Sequence, residues 1–423
     1  GITFSNGVAT AGSMFGARGG AGFMRHGIIR NCAFVDSSAD MGGGIYLDGD
    51  ARMTNCTIRG NFAVTGGGAY LSTEAHALGC RVAGNIASGD GGGVFSADNA
   101  DIAATRCVGN TAAGDGGGIW AGTNTVIACG ASISNSAARG GGLFLGPCAA
   151  VTGHDTRDNV ASGNGGGVYA AFSNSISTCT VSGNSAVMGA GVYAASPVTI
   201  DAAAIEDNVA SGKGAGAYCV TTADILMSTL VGNIADGNAG GLYLNGGYVA
   251  GCVISSNTAT GGRVGGGLVM NGGVVRDTVI AANSAYTAGG IDFHGGLVSH
   301  SLIAGNQAVN YGGGAYVNFD GAFVNVLFTE NTATFGGAAY LNYGGGVSNC
   351  TIAANHALLG GGLRCNGGGI VHNTIVSANT DDEYQSSGAA WSHTCAAPLP
   401  TGSGNMTGRS EEHTSELQSL LII

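Results

Sequence analysis

Charged side chains make up only 9% of this chain, so the places where they gather are the first to test for chemistry. Asp155, Arg157 and Asp158 adjoin His154, and Asp207 follows further along. A polysaccharide lyase needs a basic residue beside calcium-holding acids, while a glycoside hydrolase needs paired carboxylates with cationic help nearby. Asp381-Asp382-Glu383 is another dense acidic cluster, although a calcium ion there would need several further oxygens. Against each stands the plainer reading of a solvated turn. The nine histidines show no ligand spacing. We therefore expect no catalytic residue, metal or cofactor in this segment, with a lyase or hydrolase as the alternative.

A second set of side chains is more regular. Tyr46, Tyr70, Phe95, Trp120, Phe144, Tyr169, Tyr193, Tyr218 and Tyr243 recur every 24 or 25 residues, and Tyr316 and Tyr340 continue the series. Val269, Asp292 and Arg364 interrupt it, and charge at those places marks the slot as outward. Such a stripe either supports neighbouring strands, at about 0.2–1 kcal/mol per pair, or offers a flat apolar platform for sugar rings or a partner protein. The first nine rings are the expected ligand-contact residues. Cysteines form a third column: Cys32, Cys56, Cys80, Cys179, Cys252 and Cys350 all stand five residues before the same repeat position. Reduced, buried thiols acting as small hydrophobes are expected there, since their spacing matches no zinc knuckle. Cys395 lies outside the column and is expected to pair with Cys365.

The element that positions all of these is a repeat. Asn61, Asn85, Asn110, Asn135, Asn159, Asn184, Asn208, Asn233, Asn257, Asn283, Asn306, Asn331, Asn355 and Asn379 recur about every 24–25 residues. Ala stands two places after all but the last, and a glycine cluster, an aliphatic and the aromatic slot follow. A fixed period of this size marks a solenoid. Helical repeats need about 33–47 residues, whereas alternation of apolar and outward residues after the glycines fits strands.

Three short strands per coil, joined by tight turns, make an all-β, right-handed parallel β-helix. At one strand spacing per coil its length is roughly 70 Å. The asparagines should bond along the stack as a ladder, the alanines should mark a tight spot, and the glycines should permit close backbone approach.

The pattern Asn-x-Ala-x-x-Gly-Gly-Gly/Ala-aliphatic resembles the repeats of polymorphic outer membrane proteins and related bacterial surface β-helices. Phe328-Thr-Glu-Asn331, followed by Gly336-Gly337-Ala338-Ala339, is the copy most similar to that family's signature. Trp391-Ser-His-Thr-Cys395-Ala-Ala-Pro398-Leu-Pro400, followed by Gly404-Asn405, resembles the closing module of choice-of-anchor Q proteins. These resemblances imply a secreted or cell-surface, outer-membrane-associated protein. They also imply a role in adhesion, with polysaccharide or a cell-surface protein as partner. Asp90 and Asp115, in Gly-Asp-Gly-Gly-Gly, faintly resemble calcium-binding nonapeptide repeats, but Asn164 and Lys213 fill the same place in other copies.

Composition sets the remaining bounds. With 82 glycines and 44% hydrophobic residues, the chain is neither an average globular mix nor disordered. Lys213 is the only lysine and the net charge is -12, so nucleic acid is not an expected partner. No apolar run is long enough for a transmembrane helix. Gly1 in place of Met makes a truncated start the expectation. Residues 1–380 read as the repeat domain and 381–408 as a closing segment. Arg409 to Ser419 resembles a translated sequencing adapter, so 409–423 is expected to carry no ordered structure.

Overall fold

Alternation along the short apolar runs decides the architecture, because each run has one inward and one outward row. In the computed structural model, which describes residues 1–10 and 17–407, every regular element is a strand. The expectation for 409–423 lies outside the described residues. The chain divides into two units, Gly1–Val269 and Met270–Ile423.

In the first unit a strand such as Arg106–Val108 precedes each repeat asparagine. A two-residue strand such as Thr111–Ala112 follows it, and a third such as Ile119–Ala121 follows the glycines. Each pairs in parallel with its counterpart one coil on, as in Arg106↔Ala131, Thr111↔Ser136 and Ile119↔Leu143. Three sheets result.

The apolar piece around Tyr248 does not form a face of its own. It shares a sheet with the post-glycine strand, and in Ala217–Leu226 and Leu242–Ala250 the two are one strand. The register shifts between Cys219 and Thr222, where the strand bulges instead of turning, and Gly247, at φ +110°, lets the backbone lie close against Ala223 just after it. The third face is built by the short strands after the asparagines.

Ile45, Leu47, Leu71, Ile119, Ala121, Leu143 and Leu145 are buried on the post-glycine wall, and Ala161, Ala186, Ala210 and Ala235 cluster behind the second. The glycine triplet has three separate jobs. Gly165 turns the chain at φ +69°. A Cβ on Gly166 would lie 2.5 Å from Ser185 O, and one on Gly167 would lie 2.9 Å from Asn184 Nδ2. The last two glycines therefore let one coil's backbone lie against the next coil's backbone and its ladder asparagine.

That ladder is continuous from Asn61 to Asn257 in the first unit. Asn159 N and Nδ2 both donate to Asn184 Oδ1 at 3.0 Å, and Asn184 N and Nδ2 donate to Asn208 Oδ1 at 3.0 and 2.9 Å. The remaining amide hydrogen of Asn184 goes to Thr156 O at 3.0 Å. Every donor and acceptor of the buried amide is thus used.

The second unit repeats the three faces with a more aromatic core. Phe293, Phe323 and Phe328 meet edge to face at 5.1 and 5.0 Å, and Gly321 leaves the space that Phe293 fills. Its ladder runs from Asn283 to Asn379. Tyr384–Ser387 and Ala390–Ser392 add strands to the outer sheet, pairing Leu363↔Tyr384 and Val371↔Trp391.

Candidate functional site

The aromatic slots lie on the outward row of the post-glycine strands, one residue from fully buried neighbours. Tyr46, Tyr70, Phe95, Trp120, Phe144, Tyr169, Tyr193, Tyr218 and Tyr243 stack in sequence, with adjacent centroids between 4.3 and 5.8 Å. Neighbouring planes are tilted by no more than 22°. The rings point away from the core, as the alternation requires, but they do not lie as flat tiles. Strand spacing is about 4.8 Å, close to the stacking separation of rings, so each ring covers its neighbour's face. Solvent meets a ribbon formed by the edges of the half-buried rings, Tyr70, Phe95, Trp120, Tyr193, Tyr218 and Tyr243. Tyr46, Phe144 and Tyr169 are buried by this packing. Burial pushes the Tyr46, Tyr70, Tyr193 and Tyr218 hydroxyls above the ordinary phenol range, which keeps them neutral.

Cations border the ribbon. Arg139 lies 5.4 Å from the Phe144 centroid and 5.0 Å from that of Tyr169. Its Nε and Nη2 grip Asp115 at 2.9 and 2.5 Å, and these hydrogen bonds raise its pKa. Lys213 stands 5.3 Å from the Tyr243 centroid and Arg18 stands 5.2 Å from that of Tyr46. Asp90 accepts the Asp115 backbone N–H at 2.8 Å. Both acids of the Gly-Asp-Gly-Gly-Gly copies are therefore engaged in coil-to-coil bonds.

The other charged clusters do not assemble into a site. Asp155 and Arg157 pair at 3.3 Å. Asp158 and Asp207 hold equivalent left-handed turn positions, with φ of 56° and 53°, two coils apart with Gly183 between them. His154 is buried, with Nε2 3.0 Å from Ser132 Oγ and Nδ1 without a partner.

Glu383 has a definite task. Asn379 N and Nδ2 donate to its Oε2 at 3.2 and 2.8 Å, the place a further ladder asparagine would fill. The ladder's polarity leaves its last rung with donors only, so an acceptor-only carboxylate closes it. Replacing Glu383 with Ala should speed amide exchange at Asn355 and Asn379 by about tenfold, consistent with losing one or two hydrogen bonds to a charged group. Unchanged exchange there would remove the capping role.

Cys56, Cys80, Cys179, Cys252 and Cys350 are buried in one column. They are more than small hydrophobes. Their sulfurs donate to the carbonyl two residues back, at 3.1–3.4 Å. Thr105, Ser228 and Thr374 make the same bond from the same slot, while Ala203 and Val326 fill it without a side-chain donor. Burial raises Cys179 and Cys252 and pushes Cys350 up to about 12. The expected Cys365–Cys395 pairing does not form. Cys365 is a buried thiol in register with Ser386, whereas Cys395 bridges Ile375 and Met406 in another column.

The second unit holds side chains that sequence reasoning passed over. Asn318, Asn342 and Asn366 form an outer ladder, with Nδ2→Oδ1 bonds of 3.2 Å from Asn342 to Asn318 and from Asn366 to Asn342. Asn342 also donates to Tyr316 Oη at 2.9 Å. Their period of 24 is visible in the sequence. Asp292, in an aromatic slot, is buried and holds His294 at 3.0 Å, and that hydrogen bond raises the His294 pKa.

Among the described residues no group of three His, Cys, Asp or Glu is placed to hold a metal ion, and no helix is long and apolar enough to cross a membrane. No family model and no curated protein sequence matches the chain.

Proposed function

We propose that this chain is a secreted or cell-surface display scaffold, a non-catalytic stalk whose outer stripe contacts polysaccharide or a neighbouring cell's surface protein. The observation that carries this reading is the in-register presentation of ring edges and hydroxyls, coil after coil, on a frame whose buried ladder amides are satisfied internally. A surface of this kind offers one chemical group at a constant spacing, which suits a ligand that is itself a repeating chain. Lys213 places a cation beside the ribbon on a chain of net charge -12.

The test follows from which part of each ring is open. Changing Tyr169, Tyr193 and Tyr218 together to Phe keeps the stack and removes three hydroxyls. Changing them to Ala removes the ribbon itself. Binding to polysaccharide-coated surfaces or to cells should fall about 100-fold in the Phe variant and further in the Ala variant, at about 1 kcal/mol for each of the three hydrogen bonds lost. Equal binding by all three proteins would reject the stripe as the contact surface.

A further inference from the structure

The outer columns of the second unit are not all continuous, and where one of them stops it leaves a notch. Phe319 and Tyr343 occupy equivalent slots on adjacent coils, each directly after an outer-ladder asparagine. Their rings stack at 6.2 Å and 21°, yet remain 53% and 63% exposed. Both residues have positive φ, 76° and 61°, a conformation that costs a side-chain-bearing residue about 1–2 kcal/mol. The next two coils place Gly367 and Gly388 in the same slot, at φ +79° and +81°, where glycine carries no such cost. The column of rings therefore ends at Tyr343. A Cβ on Gly367 would sit 3.2 Å from Tyr343 Cδ1, so the missing side chain is the one that would have covered this ring. In the stripe of the first unit, every interior ring has a neighbour on both faces; Tyr343 has one face open.

The rim of the notch is polar. Asn366 is exposed and gives one amide hydrogen to Asn342, and Ser387 follows it in register on the next coil. From Asn366 to Ser387 these groups advance along the stack by one strand spacing, about 4.8 Å, which is about the advance per ring of an extended pyranose chain. A pyranose presents an apolar C–H face to an aromatic ring and hydroxyls around its edge to amides and hydroxyls. A flat apolar group without hydroxyls would leave the amide rim unused, and the strand that carries Asn366 is already paired on both sides, so a peptide strand could add only beyond Tyr384–Ser387, past the ring.

We propose that the notch over Gly367 is a sugar-binding subsite in which one pyranose of a glycan chain stacks on Tyr343 and bonds through its hydroxyls to Asn366 and Ser387. The proposal rests on the reading of the chain as a glycan-contacting scaffold but uses none of the stripe's side chains. It also accounts for two aromatic residues being kept in a backbone conformation that their neighbours assign to glycine.

The experiment is a titration of the full chain with cellohexaose and, separately, with hexagalacturonate, read by calorimetry and by saturation transfer to the sugar protons. These two arms distinguish a neutral from an acidic chain. One of the two sugars should bind, and Tyr343→Ala and Asn366→Ala should each weaken it about tenfold, the scale of one lost stacking or polar contact. Gly367→Phe, which extends the ring column over Tyr343, should lower the saturation transfer at least as far as Tyr343→Ala does. Unchanged affinity in Tyr343→Ala, or no binding of either sugar by the unaltered chain, would overturn the subsite. The stripe stands or falls separately on its own Tyr169, Tyr193 and Tyr218 variants.

Discussion

Replacing Asn184 with Leu should lower the stability of the first unit by about 4 kcal/mol, the cost of several buried groups left without partners. The substitution removes the acceptor for Asn159 N and Nδ2 and the donor to Thr156 O and Asn208 Oδ1. Leu is close to Asn in size but offers none of these bonds, and water cannot enter a column this buried. Asp at the same place should be nearly as damaging. It keeps the acceptor oxygen but aims a second oxygen at Thr156 O and Asn208 Oδ1. Asn366→Ala, on the exposed outer ladder, is the control and should change stability by no more than about 0.5 kcal/mol. Urea unfolding followed by far-UV circular dichroism checks the order. A midpoint for Asn184→Leu equal to that of the parent would mean that the ladder does not hold the coils together.

The second large effect is a dependence on pH. Burial holds His154 at about 4, well below its ordinary 6.5. The unfolded chain therefore binds more protons than the folded chain between those two values. Stability from this group is complete above about pH 6.5, declines as the pH falls toward 4 and is flat below it, a loss of about 3 kcal/mol in total. His154 sits inside the coil with only Ser132 Oγ as partner and with Nδ1 unpaired, and Gly130 on the coil before leaves the room for its ring. Exchanging His154 for Leu and Ser132 for Ala removes both halves of the polar pair. The double variant should lose the extra slope between pH 4 and 6.5 and be no less stable than the parent at pH 7. Parallel curves for the two proteins across that interval would show that His154 is not the titrating group.

The repeat, the parallel strands, the inward aliphatic rows and the ladder could all be read before any coordinates, because each rests on a period. Like residues one coil apart must stack when strands pair in register, so Asn159, Asn184 and Asn208 announce their own partners. Periodicity also placed the aromatic slots on the outward row. What it could not give is the attitude of a side chain within its row. The turning of the rings face to face follows from matching strand spacing against stacking distance in three dimensions. For the same reason the thiols were read as apolar fillers, although their sulfurs also donate to the carbonyl two residues back.

Features that break the period were beyond sequence reasoning altogether. Glu383 closes the ladder only because the chain bends after Asn379 and brings a carboxylate from a different position into the asparagine's place. The notch at Gly367 depends on a ring one coil earlier holding a left-handed backbone. The repeat thus carries its pattern in the order of its residues, while the exceptions, where specific contacts gather, are decided by which groups the stacked coils bring within reach.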